Sequence, residues 1–226
     1  MFTLYSGPLS MFGAKAQIAA LEKGLPFELV MVPFDADDRY RPRHPEVLRV
    51  NPKEQVPVLV DGDLDLFDST QIFEYLEDLA PEPPLWPREP RARARARRLE
   101  MESDEVFFPW VVRLFGLQDA MDSAPAIAAR SACAQFQRRL EEQWLADGRD
   151  WLCGPYGHAD IAFYMAQLFA ERKGAGLTGD MTRLIAWRER MTQRPAVREV
   201  AGAMARFLHG AGRPVPGFLA RLVPAA

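Results

Sequence analysis

"LYSGPLSMFGAKAQIAALEKG", residues 4–24, runs from an apolar stub through a loop holding Ser6, Gly7, Pro8 and Ser10 into a helical pattern with Ala14, Ile18 and Leu21 on one face. Ser10 is placed to cap that helix and Gly24 to stop it, so the spacing predicts a strand over residues 1–5 and a helix over 11–23. Residues 27–32 read as a second strand. A strand, a crossover helix and a strand make a βαβ unit with parallel strands and a right-handed connection. The start of its helix aims unpaired backbone N–H groups at one point, which suits an anion, and Ser10 puts a hydroxyl there.

Downstream, "VPVLVDGDLDLF", residues 56–67, sets apolar runs on either side of Asp61-Gly62, a strong hairpin signal. From Ser69 onward Ile72, Phe73, Leu76 and Leu79 return to helical spacing, and that helix must end before "APEPPLWPREP", residues 80–90. Residues 1–80 are therefore expected to form one unit: β-α-β, an irregular stretch, then β-β-α. The proline-rich segment 81–90 is the expected linker. Residues 91–226 read as an all-helical domain, with helices over 91–115 (bent at Pro109), 125–146, 159–173, 181–192 and 196–208. The run "RARARARR", residues 91–98, spreads its arginines around a helix and reads as a solvated helix start.

The chain's 226 residues are 48% hydrophobic and carry a formal net charge of −3, which supports a sizeable core and argues against a nucleic-acid partner. Its two cysteines, Cys133 and Cys153, form neither a disulfide framework nor a metal-ligand pattern, and a reducing cytoplasm is expected. No apolar stretch approaches the ~20 residues that cross a bilayer, so no membrane partner is expected.

This organisation resembles the soluble glutathione transferase superfamily, and four local features carry the resemblance. Ser10 follows Tyr5 at the spacing of the serine-using classes; "NPKEQVPVLV", residues 51–60, is similar to the family's Asn-Pro-x-x-x-Val-Pro-x-Leu segment. "LFDSTQIFEYL", residues 66–76, looks like the family's acidic-or-Gln, Ser pair at a helix start; "GPYGHADIAFY", residues 154–164, looks like its buried capping motif, with Asp160 as the aspartate. Three positions depart from the pattern: Asp68 where Glu or Gln is usual, Gly157 in place of a hydroxyl residue, and Glu54 where glycine is common, which suggests a different loop geometry there.

The resemblance implies a thioredoxin-like domain with a mixed four-stranded sheet, a helical-bundle domain, and a detoxifying transfer of glutathione, the co-substrate, to a small hydrophobic electrophile, without a metal. It implies Ser10 as the catalytic hydroxyl, with Ser6 and Tyr5 as rivals. For glutathione it implies the backbone of Val56 before a cis Pro57, Asp68 and Ser69 at the amino end, and Gln55, His44 and Lys53 at the glycyl end. The electrophile's pocket falls to Met11, Phe12, Phe108 and Val111, among further candidates Phe107, Trp110 and Phe115. Asp104 is a candidate for reaching a ligand in a partner subunit. A homodimer is implied, with Leu85 and Trp86 among the apolar residues expected near its interface. The rival readings are a non-catalytic glutathione-binding scaffold, a glutathione-dependent isomerase, whose Ser-Cys pair is absent here, and a thiol-disulfide oxidoreductase, which needs a cysteine at the start of the first helix.

Overall fold

The computed structural model describes residues 1–35, 40 and 43–223. Its first part holds β1 (Phe2–Ser6), α1 (Met11–Glu22), β2 (Phe27–Met31), α2 (Pro45–Val50), β3 (Val58–Asp61), β4 (Leu64–Phe67) and α3 (Ser69–Leu79). The sheet order is β2-β1-β3-β4. β1 runs parallel to β2, with Leu4 opposite Leu29, and antiparallel to β3, with Leu4 opposite Leu59. Alternation along β1 buries Phe2, Leu4 and Ser6 on the face that packs against α1 and α3.

Two local expectations are corrected. Asp61 pairs with Leu64, so Gly62-Asp63 are the hairpin's central residues, and Gly62 takes the left-handed φ of 63° that this turn demands. The stretch expected to be irregular contains α2: Pro45 opens it, and the His44 imidazole accepts the Glu46 N–H at 3.2 Å.

The second part is helical: α4 (Pro90–Met101), α5 (Phe108–Phe115), α6 (Ala124–Arg139), α7 (His158–Arg172), α8 (Thr182–Gln193) and α9 (Pro195–Gly210). The expected bend at Pro109 is a widened π turn over Glu102–Phe107, just ahead of the proline. Pro109 has no N–H to give the carbonyl four residues back, and a wider turn accommodates that loss. A second π turn, Leu140–Trp144, ends the α6 rod. The arginine run forms ordinary surface pairs: Arg97 grips Glu74 at 2.9 and 2.5 Å, and Arg98 lies 3.4 Å from Glu102.

The parts share one apolar core, with α7 buried along nearly its whole length and packed against α1 and α4. Leu85 and Trp86 belong to that core, at 3% and 1% exposure, and therefore offer nothing to a dimer face. The joint is held by Glu77 at the end of α3. Its buried carboxylate accepts the Leu85 and Trp86 N–H groups at 3.1 and 3.2 Å and pairs with Lys23 at 2.5 Å, while His158 Nε2 stands 3.6 Å away. Burial pushes the Glu77 carboxyl upward, but His158, Lys23 and the two N–H groups outweigh it and hold the group at about 2.

Opposite Glu77, the linker enters the N-terminus of α7. Leu85 O accepts the His158 N–H at 2.9 Å, and a Cβ on Gly157 would meet that same oxygen at 2.2 Å. This close approach explains the missing hydroxyl residue. Asp160 still secures the turn from inside, accepting from Gly157 N at 3.2 Å, Leu152 N at 2.9 Å and Trp187 Nε1 at 2.8 Å.

Two outcomes follow from the joint. Glu77 has a folded-state pKa of about 2 against ~4.3 unfolded, so its contribution is complete above the unfolded value and disappears as pH falls from about 4 toward 2. Urea unfolding across that range should lose ~3 kcal/mol in the wild type, and Glu77→Gln, already weaker at neutral pH, should flatten this acid limb. Gly157→Ala should cost ~1–3 kcal/mol in the same assay, because overpacking forces the linker carbonyl aside.

Candidate functional site

A cleft of about 670 Å³ opens between the two parts, walled by the β1–α1 loop, the segments before and after α2, α5 and the C-terminal end of α7. Of the residues predicted from sequence, Ser10, Met11, Phe12, His44, Gln55, Val56 and Phe108 line it. Ser10 is the N-cap of α1, and its Oγ accepts the Gly13 N–H at 2.9 Å. The hydroxyl proton remains to be donated, so capping and anion binding are compatible in one side chain. Phe12 meets Phe108 edge-on at 5.5 Å, joining the two parts across the cleft floor.

The rivals of Ser10 sit elsewhere. Ser6 is fully buried and accepts Gln17 Nε2 at 2.7 Å; Tyr5 packs 5.1 Å from the His44 ring and is not on the cleft wall. Tyr40 is a phenol missed in the sequence: its ring lines the cleft, and its oxygen accepts the Leu9 N–H at 3.1 Å, one residue before Ser10. Burial pushes its pKa far above the usual phenol value, so the phenol stays protonated. Gly7 makes room for it, since a Cβ there would lie 2.3 Å from the Tyr40 ring. Sequence offered only the small residue as a clue.

The loop after α2 presents Gln55 and Val56. Asn51 shapes it, donating to Gln55 O at 2.6 Å and accepting from Lys53 N at 2.9 Å, and Val56–Pro57 is cis. Glu54 adopts φ 55°, the left-handed conformation in which glycine is unstrained, so it holds a glycine-like backbone rather than forcing a different path. Lys53 is exposed and Pro57 buried, both outside the wall. Asp68 and Ser69 also lie outside it, at the N-terminus of α3, where Asp68 accepts the Thr70 N–H at 3.0 Å and Ser69 is buried. Asp68 holds φ 77°, a region that costs a residue with a Cβ ~1–3 kcal/mol and is met most often at functional sites.

One predicted wall residue is corrected: Val111 is fully buried in the core, and Val112 and Phe115 line the cleft with Phe108. Phe108, Val112 and Phe115 are spaced i, i+4, i+7 on α5, and the π turn before them breaks the face that was extrapolated from Asp104. Phe107 is likewise buried in the core.

Asp104 turns inward. It receives Lys15 Nζ at 2.5 Å, and the same ammonium reaches Glu100 at 2.8 Å, which also accepts Thr70 Oγ1 at 2.8 Å. Burial would strip Lys15 of its proton, but Asp104 and Glu100 outweigh it and raise its pKa. Burial, with Glu100 and Asp68 nearby, pushes Asp104 upward despite Lys15. This triad ties α1 to α4 behind Phe12, whose ring lies 5.6 Å from the ammonium.

Neither thiol lines the cleft. Burial pushes Cys133 and Cys153 up to about 12, and neither is at a helix start near Ser10. Among the described residues no cluster of His, Cys, Asp and Glu is fit for a metal, and no helix is long and apolar enough to cross a membrane.

A sheet of order β2-β1-β3-β4 with a cis proline leading into β3 and a serine capping α1, followed by a linker and a helical bundle, is the architecture of a thioredoxin-like domain with a helical C-terminal domain. Residues 4–84 match the family model described as Glutathione S-transferase, N-terminal domain. A Stringent starvation protein A homolog of Haemophilus ducreyi is 30% identical over 182 residues, 78% of this chain and 77% of that protein. The homolog of the same name from Coxiella burnetii is 39% identical over 110 residues, 48% of this chain and 49% of that protein, so this chain spans about half the length of that relative. Among solved structures, a glutathione S-transferase of Methylobacterium radiotolerans in complex with glutathione sulfonate superposes with a TM-score of 0.73 at 30% identity, covering 88% of this chain and 93% of that one. The chain belongs to the glutathione S-transferase superfamily, with its thioredoxin-like N-terminal domain and helical C-terminal domain.

Removing the triad's only cation leaves two buried carboxylates facing each other. Lys15→Met should therefore lose ~3–5 kcal/mol in urea unfolding, and Lys15→Met/Asp104→Asn should recover part of it.

Proposed function

We propose that the chain binds glutathione in this cleft and activates its thiol for attack on a small hydrophobic electrophile. The observation that carries the reading is Ser10: a hydroxyl at the N-terminus of α1, on the cleft wall, with its oxygen already fixed by the Gly13 N–H. An unperturbed thiol has a pKa of ~8.5, and lowering it by ~2 units needs ~2.7 kcal/mol of preferential thiolate stabilisation. A hydrogen bond to an anion contributes ~1.5–3 kcal/mol and a helix N-terminus up to ~2, so the two together suffice. The S–H proton leaves to solvent, the sulfur pair forms the C–S bond, and the electrophile's leaving group or ring oxygen departs with its electrons.

In this reading the Val56 backbone holds the cysteinyl segment, Asp68 and the first turn of α3 hold the ammonium and carboxylate of the glutamyl end, and Gln55 and His44, with Lys53 nearby, face the glycyl carboxylate. Phe12, Met11 and Phe108 shape the apolar acceptor site. The protein acts in the cytoplasm as a homodimer, and light scattering should give twice its 25.5 kDa mass. A second reading, a glutathione-binding protein without turnover, is favoured by the names of the two relatives, neither of which is a transferase's.

Thiolate absorbance against pH separates these roles. Ser10→Ala should move the ionisation of bound glutathione upward, lower turnover ~10–1000-fold, leave glutathione affinity nearly intact, and cost ~1 kcal/mol of stability through the lost cap. Tyr40→Phe should leave the ionisation in place. If Tyr40→Phe abolishes it and Ser10→Ala does not, the phenol is the activating group; wild-type binding with no turnover across aryl halides, epoxides, dienones and hydroperoxides favours the second reading.

A further inference from the structure

Behind the β1–α1 loop lies a second cavity that the proposed chemistry does not use. It measures about 360 Å³ and is walled by Gly7-Pro8, one side of α1, the end of β2 with the segment after it, and α9. Among the described residues its wall carries no charged side chain, and Gln17 is its only polar one. The amide of Gln17 is already engaged, since its Nε2 donates to Ser6 Oγ at 2.7 Å. The remaining wall is hydrocarbon, aromatic rings and thioethers: Phe34 meets Phe207 of α9 edge-on at 5.8 Å, with Met31 and Met204 in the same lining. A surface that cannot pair a charge selects against charged ligands, and thioethers adapt to flat rings. An apolar cavity of ~150 Å³ holds a benzene ring, so a cavity of about 360 Å³ suits two fused rings.

This cavity and the cleft share a partition, because Val32 and Phe34 line both. On the cleft side Phe34 meets the Tyr40 ring edge-on at 4.9 Å, and that ring occupies the space a Gly7 side chain would take. Gly7 O in turn accepts the Ser10 N–H at 3.1 Å, and the Tyr40 oxygen accepts the Leu9 N–H. A group pressing on Gly7-Pro8 or Phe34 from behind is therefore in contact, through one residue, with the cap of α1. We propose that this cavity is a binding site for a small uncharged molecule of two fused aromatic rings, and that its occupancy is registered at Ser10 without the ligand entering the cleft. The site is independent of the glutathione reading, since only Val32 and Phe34 of its lining also face the cleft.

The probe is indole, titrated into the isotope-labelled full chain while the backbone amide signals are followed by nuclear magnetic resonance. A ligand of this size in an apolar pocket should bind with a dissociation constant of ~0.1–1 mM. The amides of Gly7, Val32, Phe34 and Ala203 should shift along one saturable curve with Ser10 among them, while Gln55 and Gly116, which line only the cleft, stay in place. Ala203 is half-buried on α9, so Ala203→Trp fills the cavity without entering the core and should weaken indole at least ~10-fold. Ala203→Leu should weaken it ~3-fold and keeps the test open if the tryptophan variant fails to fold. Tryptamine and indole-3-acetate carry the same rings with a charge of either sign, and each should bind here at least ~5-fold more weakly than indole. Equal affinity for the three overturns the uncharged class. No saturable shift up to ~5 mM, shifts strongest at Gln55 and Gly116, or an affinity indifferent to both Ala203 variants overturns the site. Shifts at Gly7 and Ala203 that leave Ser10 unmoved overturn the coupling. If the same signals move when the protein concentration is raised and indole no longer competes, the groove is an interface between copies of this chain and the site is refuted. Absence of glutathione binding with the indole shifts intact sinks only the transferase reading.

Discussion

The Glu77 carboxylate is the constraint on which the arrangement of the two domains depends. It gathers two linker N–H groups and the Lys23 ammonium at the point where α3 gives way to the linker and α7 begins. Each of these groups is expensive to bury alone, and together they satisfy one another. Lys23 adds hydrogen bonds to the carbonyls of Ala80 and Pro83, so the same cluster fixes both strands of the bend. His158 fills the remaining space as a neutral ring, stacked 4.1 Å from Phe73, because burial pulls its pKa down. With the linker fixed, the cleft walls keep their spacing.

A second polar cluster plays the complementary part on the far side of α1. Lys15, Glu100 and Asp104 lie behind the cleft floor, and the Lys15 ammonium sits between the Phe12 and Phe73 rings. Phe12 faces the cleft, so the orientation of an apolar wall residue is governed by a charge network whose partners lie 85 and 89 residues away in sequence. Neither cluster touches the reacting atoms in the proposed chemistry. Both determine where those atoms are held.

How far the sequence carried the reading follows from this contrast. The hairpin, the Ser10 cap and the helix starts were legible because turn and cap chemistry is local, settled within four or five residues. α2 was not, since six residues after a proline carry too little periodicity. Val111 was taken for a wall residue because helical spacing was extended through residues 102–107, where a π turn disrupts the count. The phenol of Tyr40 reaches the cleft only through tertiary structure, and in the sequence it resembles a surface residue. Asp104 matched a family position, yet its carboxylate turned toward Lys15, a residue whose burial no local pattern announces. The residues proposed to face glutathione were read as a set because their order along the chain resembles that of the family.

The contact between Gly157 and the Leu85 carbonyl bears on how this chain can drift. A hydroxyl cap at position 157 and the present course of the linker exclude each other, because the oxygen that a Cβ would strike also receives the His158 N–H. A lineage that acquires serine there must first reroute residues 83–86, and one that lengthens the linker is released to accept the serine. Position 157 and linker length should therefore change together among descendants, leaving a record of the domain joint in sequences that otherwise diverge freely.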